Sequence, residues 1–126
     1  MPALPKMPER MLFADTVAAI KSRSQTVTWR AGGTHLRRGD RVEAVNKAWM
    51  LSCPVAISPL ARLEIVSVRE VRLRKLLHNG PYAVREMEAC GFPKGSVRAY
   101  VASIISRHKD LTLDAPMTRF EFRYVS

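Results

Sequence analysis

Two cysteines, three histidines and six glycines are all that 126 residues contain of the types from which metal sites, disulfide frameworks and phosphate loops are built. Cys53 and Cys90 stand alone, without metal-ligand or disulfide spacing, and read as small buried apolar residues of a reduced, cytoplasmic protein. There is no Gly-rich phosphate loop, no Ser-His-Asp order and no metal cluster, so neither cofactor nor metal is expected. Long apolar runs are also missing. The longest uncharged stretch, Ala48–Ala61, carries two prolines and two serines and is too short to cross a membrane. The opening MPALPKMPER has no apolar segment of the secretory kind, and its prolines suggest a flexible lead-in over residues 1–10. Residues 11–126 then suffice for one domain with a real core, and not for two.

Acidic residues are also scarce: 11 Asp and Glu face 21 Lys and Arg, a net charge of +10. Like charges repel and do nothing for a fold, so such a surplus points to a polyanionic partner. Arginine predominates among the cations, and its planar guanidinium binds phosphate bidentately and stacks on bases. Nucleic acid, RNA or single-stranded, is the expected partner. A membrane surface is not expected, because no helix combines a basic face with aromatic anchors. An adaptor for an acidic protein would share the same charge argument. Nothing in the sequence specifies an oligomeric state.

Along the chain, strand-like and helix-like patterns alternate without a repeat. Met11–Phe13 is a short apolar run, and Asp15 sits where an N-cap belongs, opening a helix through Ile20. Thr26–Arg30 alternates strictly, with Val27 and Trp29 on one face and Thr26, Thr28 and Arg30 on the other. A turn at Arg38-Gly39-Asp40 leads into a strand over Arg41–Lys47. In Ala61–Leu73 the apolar residues switch faces between Ile65 and Val71, as in a bent or bulged strand of a small barrel. Two helices are expected, one from about Pro81 to Cys90 with Gly91 as its stop, the other over Ser96–Arg107. The chain closes with Thr118–Tyr124, where Phe120, Phe122 and Tyr124 alternate with Arg119, Glu121 and Arg123, a strand with one wet face. This order predicts an α+β fold: a mixed sheet of five to six strands curled into a barrel, with helices outside.

Three stretches carry a family resemblance. Leu12–Arg30 (LFADTVAAIKSRSQTVTWR) resembles the opening strand, helix and G-x-K-T-x-T-x-R signature of the ASCH superfamily, a branch of the PUA-like fold. Leu36–Val42 (LRRGDRV) resembles its L-K-x-G-D turn. Met117–Tyr124 (MTRFEFRY) resembles its closing strand. The compact bacterial and phage members are the most similar. The resemblance implies an RNA- or nucleic-acid-associated domain with a cleft beside the barrel; members bind RNA, cleave it, or deacetylate N4-acetylcytidine.

Carried over from the amidohydrolase members, the catalytic threonine falls on Thr28, the glutamate on Glu88 or, with a different gap, Glu86, and the lysine on Gln25. Glutamine has no titratable group, and a threonine hydroxyl needs a base to become a nucleophile, so this activity is disfavoured. Glu86 and Glu88 read as helix-surface charges beside Arg85. Metal-independent ribonuclease chemistry would draw on His35, His78 or His108, which lie in separate segments; His35, between the signature strand and the turn, is the foremost. Binding asks for less. Gln25, Thr28 and Arg30 would line a cleft, with Arg23 beside them, and Arg37, Arg38 and Lys47 would meet phosphates at its rim. Trp49 would stack on a base or serve the core, and Trp29 should be core. Arg69, Arg72, Arg74 and Lys75 form a second basic set.

Overall fold

The computed structural model describes residues 9–13, 15–50, 53–92, 96–108 and 111–125, without the side chains of 47–50 and 53–56. The elements run β1 (Glu9–Leu12), α1 (Val17–Lys21), β2 (Val27–Ala31), β3 (Arg41–Met50), β4 (Cys53–Val71), α2 (Arg74–His78), α3 (Gly80–Ala89), α4 (Val97–Arg107) and β5 (Met117–Val125). The strands form one sheet in the order β1-β3-β4-β5-β2, all neighbours antiparallel except β1 and β3. The sheet curls into a half-barrel flanked by the helices, an α+β architecture of the PUA-like kind.

The ends of the sheet and its bulges follow from local sequence. Between Ile65 and Ser67 the register of β4 against β5 shifts by a bulge, which accounts for the switch of apolar face along this strand. Pro54 and Pro59 lie where β4 pairs with β3 alone, since its pairing with β5 starts at Arg62. A residue without an N–H is tolerated on such an unpaired side, and the register shifts fall beside both prolines. Gly39 takes φ +92, and its N–H donates to the Ile65 carbonyl while Asp40 Oδ2 accepts from Arg37 N–H. The turn is thereby sewn to β4 on both sides, since Ile65 N–H also reaches the Asp40 carbonyl.

Apolar residues gather in two clusters on opposite faces of the sheet. Phe13, Ile20, Leu63, Ile65, Phe120 and Phe122 form the first, with Phe13 and Phe122 edge to face at 5.9 Å. Each of these side chains contributes about 1.5–3 kcal/mol by leaving water. Val27, Trp29, Val71, Leu73, Ala83, Val101 and Met117 form the second, beneath α2, α3 and α4. Trp29 is therefore core, as its alternation predicts.

The structure changes several local expectations. The first strand begins at Glu9, inside the expected lead-in. Thr16, not Asp15, is the N-cap of α1, without a side-chain bond. The segment Arg74–His78 is a short helix that the sequence pattern does not announce. Gly91 stops α3 at φ +90, where an added Cβ would come within 3.1 Å of Ala19, Gln25 and Thr16 atoms, so the turn admits no larger residue without displacement. Among the described residues no helix is long and apolar enough to cross a membrane.

Candidate nucleic-acid interface

β2 is the end of the sheet, so only one of its sides is paired. The phase of that pairing is fixed by the Phe122 N–H that donates to the Thr26 carbonyl at 2.9 Å, together with the register Thr28↔Phe120 and Arg30↔Thr118. The main-chain groups of Thr28 and Arg30 and the Thr26 carbonyl therefore bond to β5, the Thr26 N–H going instead to the Ala89 carbonyl at 2.9 Å, whereas those of Val27, Trp29 and Ala31 point to the free edge. Gln25 covers the first of these: its Nε2 donates to the Val27 carbonyl at 3.0 Å. Gln25 is 2% exposed, and its Oε1 has no partner among the described residues. The Tyr124 hydroxyl holds its carbonyl at 2.7 Å.

A cavity of about 570 Å³ lies along this free edge. Residues 28–31 of β2 form one wall, with Gln25 at one end; Phe92 and the α4 residues Tyr100, Ser103 and Arg107 form the other. The size is that of a small-ligand or nucleoside site. Phe92 and Tyr100 pack ring to ring at 5.3 Å on the far wall.

Arg30 is one of two arginines in the lining of this cavity. Its Nε donates to Thr28 Oγ1 at 3.1 Å, and the guanidinium lies 4.8 Å from the centre of the Phe13 ring. Burial lowers its pKa. The titratable groups that act on it are Tyr100 and Cys90, and neither supplies an anion: burial raises the Tyr100 hydroxyl and pushes the Cys90 thiol up to about 12. Among the described residues no carboxylate pairs with Arg30, in contrast to Arg107, which holds Asp15 at 2.7 Å across the cavity mouth. A desolvated cation without an anion is costly in a fold and is the natural seat of an anionic or acceptor group.

Glu86 is not a surface charge. It is 6% exposed and clamped by Arg119, whose Nε and Nη2 donate to its two oxygens at 2.6 and 3.0 Å, while Trp29 Nε1 donates at 3.0 Å. Burial raises the Glu86 carboxyl, but these donors outweigh it and hold the group below its ordinary range. Arg119, expected on the wet face of the closing strand, is 8% exposed for the same reason. The carboxylate thus belongs to a structural pair beneath α3. Glu88 is exposed and does not line the cavity.

The remaining candidates are dispersed. Arg37 and Arg38 are exposed on the turn between β2 and β3 and do not line the cavity; His35, beside them, meets Glu9 at 2.9 Å. His108, given no priority by the sequence, is the histidine in the cavity wall. Arg23 is exposed, with φ +62 and its guanidinium 5.7 Å from the Tyr124 ring centre. The side chains of Lys47 and Trp49 lie outside the described residues. In the second basic set Arg74 is bound bidentately by Asp114 and Arg72 faces Glu70, while Arg69 lines a smaller cavity of about 320 Å³ beside Gly32 and Gly33. No three of His, Cys, Asp and Glu converge among the described residues.

No protein-family model and no curated protein matches the sequence. Solved structures are similar in shape. The crystal structure of the hypothetical protein PH0355 superposes with a TM-score of 0.64 at 10% identity, covering 94% of this chain and 100% of that one. Protein EF3133 from Enterococcus faecalis, of the family DUF984, gives a TM-score of 0.64 at 12% identity over 96% and 78% of the two chains. An ASCH domain from Lactobacillus crispatus gives 0.55 at 10% identity, over 92% and 79%. The fold is ASCH-like. In this ASCH-like fold β2 is the edge strand, and the cavity lies along it.

Proposed function

We propose that the protein binds RNA or single-stranded nucleic acid, holding one nucleotide in the cavity along β2. The observation that carries this reading is Arg30, a half-buried guanidinium in the lining of that cavity with no carboxylate partner among the described residues. A phosphate or base acceptor supplies what the fold withholds from it. Thr28 orients the guanidinium by accepting from Nε, and Gln25 closes the end of the edge. Arg23, Arg37, Arg38 and Lys47 belong to the outer electrostatic field, which guides a strand without reading it. Trp49 has no assigned part.

Four to six neutralised phosphates give a log–log salt slope of about −3 to −4 for single strands. Anisotropy of a labelled oligouridine from low to moderate salt measures it; a slope near zero overturns this mode of binding.

One observation favours a second reading, metal-independent RNA cleavage: His108 and Arg107 stand side by side in the cavity wall, an acid–base group next to a phosphate-binding one. EDTA-resistant cleavage of labelled RNA, lost in His108→Ala, would establish it. Intact RNA after prolonged incubation would exclude it. The amidohydrolase reading gains no such support, since Glu86 is committed to Arg119 and Glu88 is outside the cavity.

A further inference from the structure

We infer that the cavity reads a nucleobase through the main chain of β2, with the free N–H and C=O groups of Trp29 and Ala31 bonding the base edge. The inference rests on the proposed nucleic-acid site and adds what selects the ligand there. In extended backbone a residue's own N–H and C=O point to the same side, next to each other. They present a donor beside an acceptor, the complement of the Watson–Crick edge of uracil (N3–H beside a carbonyl) or of cytosine (N3 beside an amino group).

Three observations single out this stretch. The ladder phase turns Trp29 and Ala31 away from β5, and both residues line the cavity. Gln25 already satisfies the Val27 carbonyl, and Trp29 and Ala31 are the outward-pointing β2 residues that line the cavity. The opposite wall supplies the Phe92–Tyr100 ring pair, against which a planar base can lie, and Arg30 stands beside the same edge for an acceptor or phosphate oxygen. Buried main-chain groups are seldom left without partners, so a strand edge open inside a cavity marks a place for a ligand with its own donor and acceptor. An extended peptide adding to the edge would use the same groups. The nucleobase is favoured by the +10 charge, the nucleoside-sized volume and the uncompensated guanidinium.

The test uses the full chain labelled with nitrogen-15, titrated with uridine and cytidine 5′-monophosphates and with their N3-methylated counterparts. The expected result is a downfield shift and slowed hydrogen exchange at the Trp29 and Ala31 amides with the unmodified nucleotides. N3-methylation should weaken binding at least tenfold. If all four bind alike and those amides do not respond, main-chain reading is overturned while nucleotide binding stands. If neither nucleotides nor oligonucleotides bind, both readings fall. If an extended peptide protects the two amides and nucleotides do not, the edge serves strand addition and the inference is wrong.

Discussion

Arg119 is buried and Arg30 half-buried in one small domain, and replacing each by methionine should have opposite consequences. Arg119 is neutralised by both oxygens of Glu86. Arg119→Met leaves that carboxylate buried with only Trp29 and Tyr82 as donors, and breaking one side of a buried pair costs about 3–5 kcal/mol. Arg30 has no such partner. Its loss removes one hydrogen bond to Thr28, about 0.5–1.5 kcal/mol, and a contact with the Phe13 ring of similar size. Relief of the desolvated charge offsets these, so Arg30→Met should change stability by no more than about 1 kcal/mol. Its oligouridine affinity should nevertheless fall by about 10- to 150-fold, the worth of a hydrogen bond to a charged group. Urea denaturation followed by fluorescence gives the first quantity, as a shift of midpoint at constant slope, and anisotropy gives the second. Equal destabilisation by the two substitutions, with unchanged affinity in Arg30→Met, would refute the assignment of Arg30 to binding.

Other outcomes follow from the same geometry. Ala31→Pro should fold normally, because the N–H it removes is on the free side of β2, whereas Arg30→Pro removes a ladder bond and should cost about 3 kcal/mol; thermal melts of the pair test the ladder phase directly. Arg23 closes α1 in a left-handed conformation, with Arg23 N–H bonded to Ile20 and Ser24 N–H to Ala19, so Arg23→Gly should stabilise by about 1 kcal/mol in calorimetry. The Glu86 carboxyl is held below its unfolded value, so its contribution is present above the ordinary glutamate range and is lost as pH falls through the depressed value. Glu86→Gln should accordingly flatten the acid side of the stability profile. The Cys90 thiol, raised to about 12 by burial and by the nearby Glu86 charge, should resist alkylation at pH 8 until the protein unfolds, as peptide mass spectrometry would show.

The legible parts of the fold were those in which one residue type meets one environment. Val27 and Trp29 alternate with Thr28 and Arg30, and the faces are assigned correctly. Gly39, Gly91 and the apolar stripe of α4 likewise mark their turns and helix. The pattern failed where a long-range partner reverses a residue's character. Arg119 reads as wet because it alternates with phenylalanines, yet Glu86 from α3 makes it a core residue. The start of β4 was hidden by Pro54 and Pro59, which mark strand breaks unless one knows that this stretch has a neighbour on one side only. The site was half legible. Gln25, Thr28 and Arg30 do share a cavity, whereas Arg37 and Arg38 do not, because charge in a sequence says nothing of which way a turn faces. Tyr100 and Phe92 were missed as site residues, and His108 was ranked behind His35. The signal of Tyr100, a place in the apolar stripe of α4, is the same whether the stripe meets a core or a cavity wall.

The most direct measurement is photocrosslinking of an oligonucleotide carrying 4-thiouridine, followed by mass spectrometry of the crosslinked peptides. Attachment within residues 28–31 or on α4, around Tyr100, is the predicted result. Crosslinks confined to the exposed turn at residues 34–41, with β2 and α4 unmarked, would place the nucleic acid outside the cavity and contradict the account.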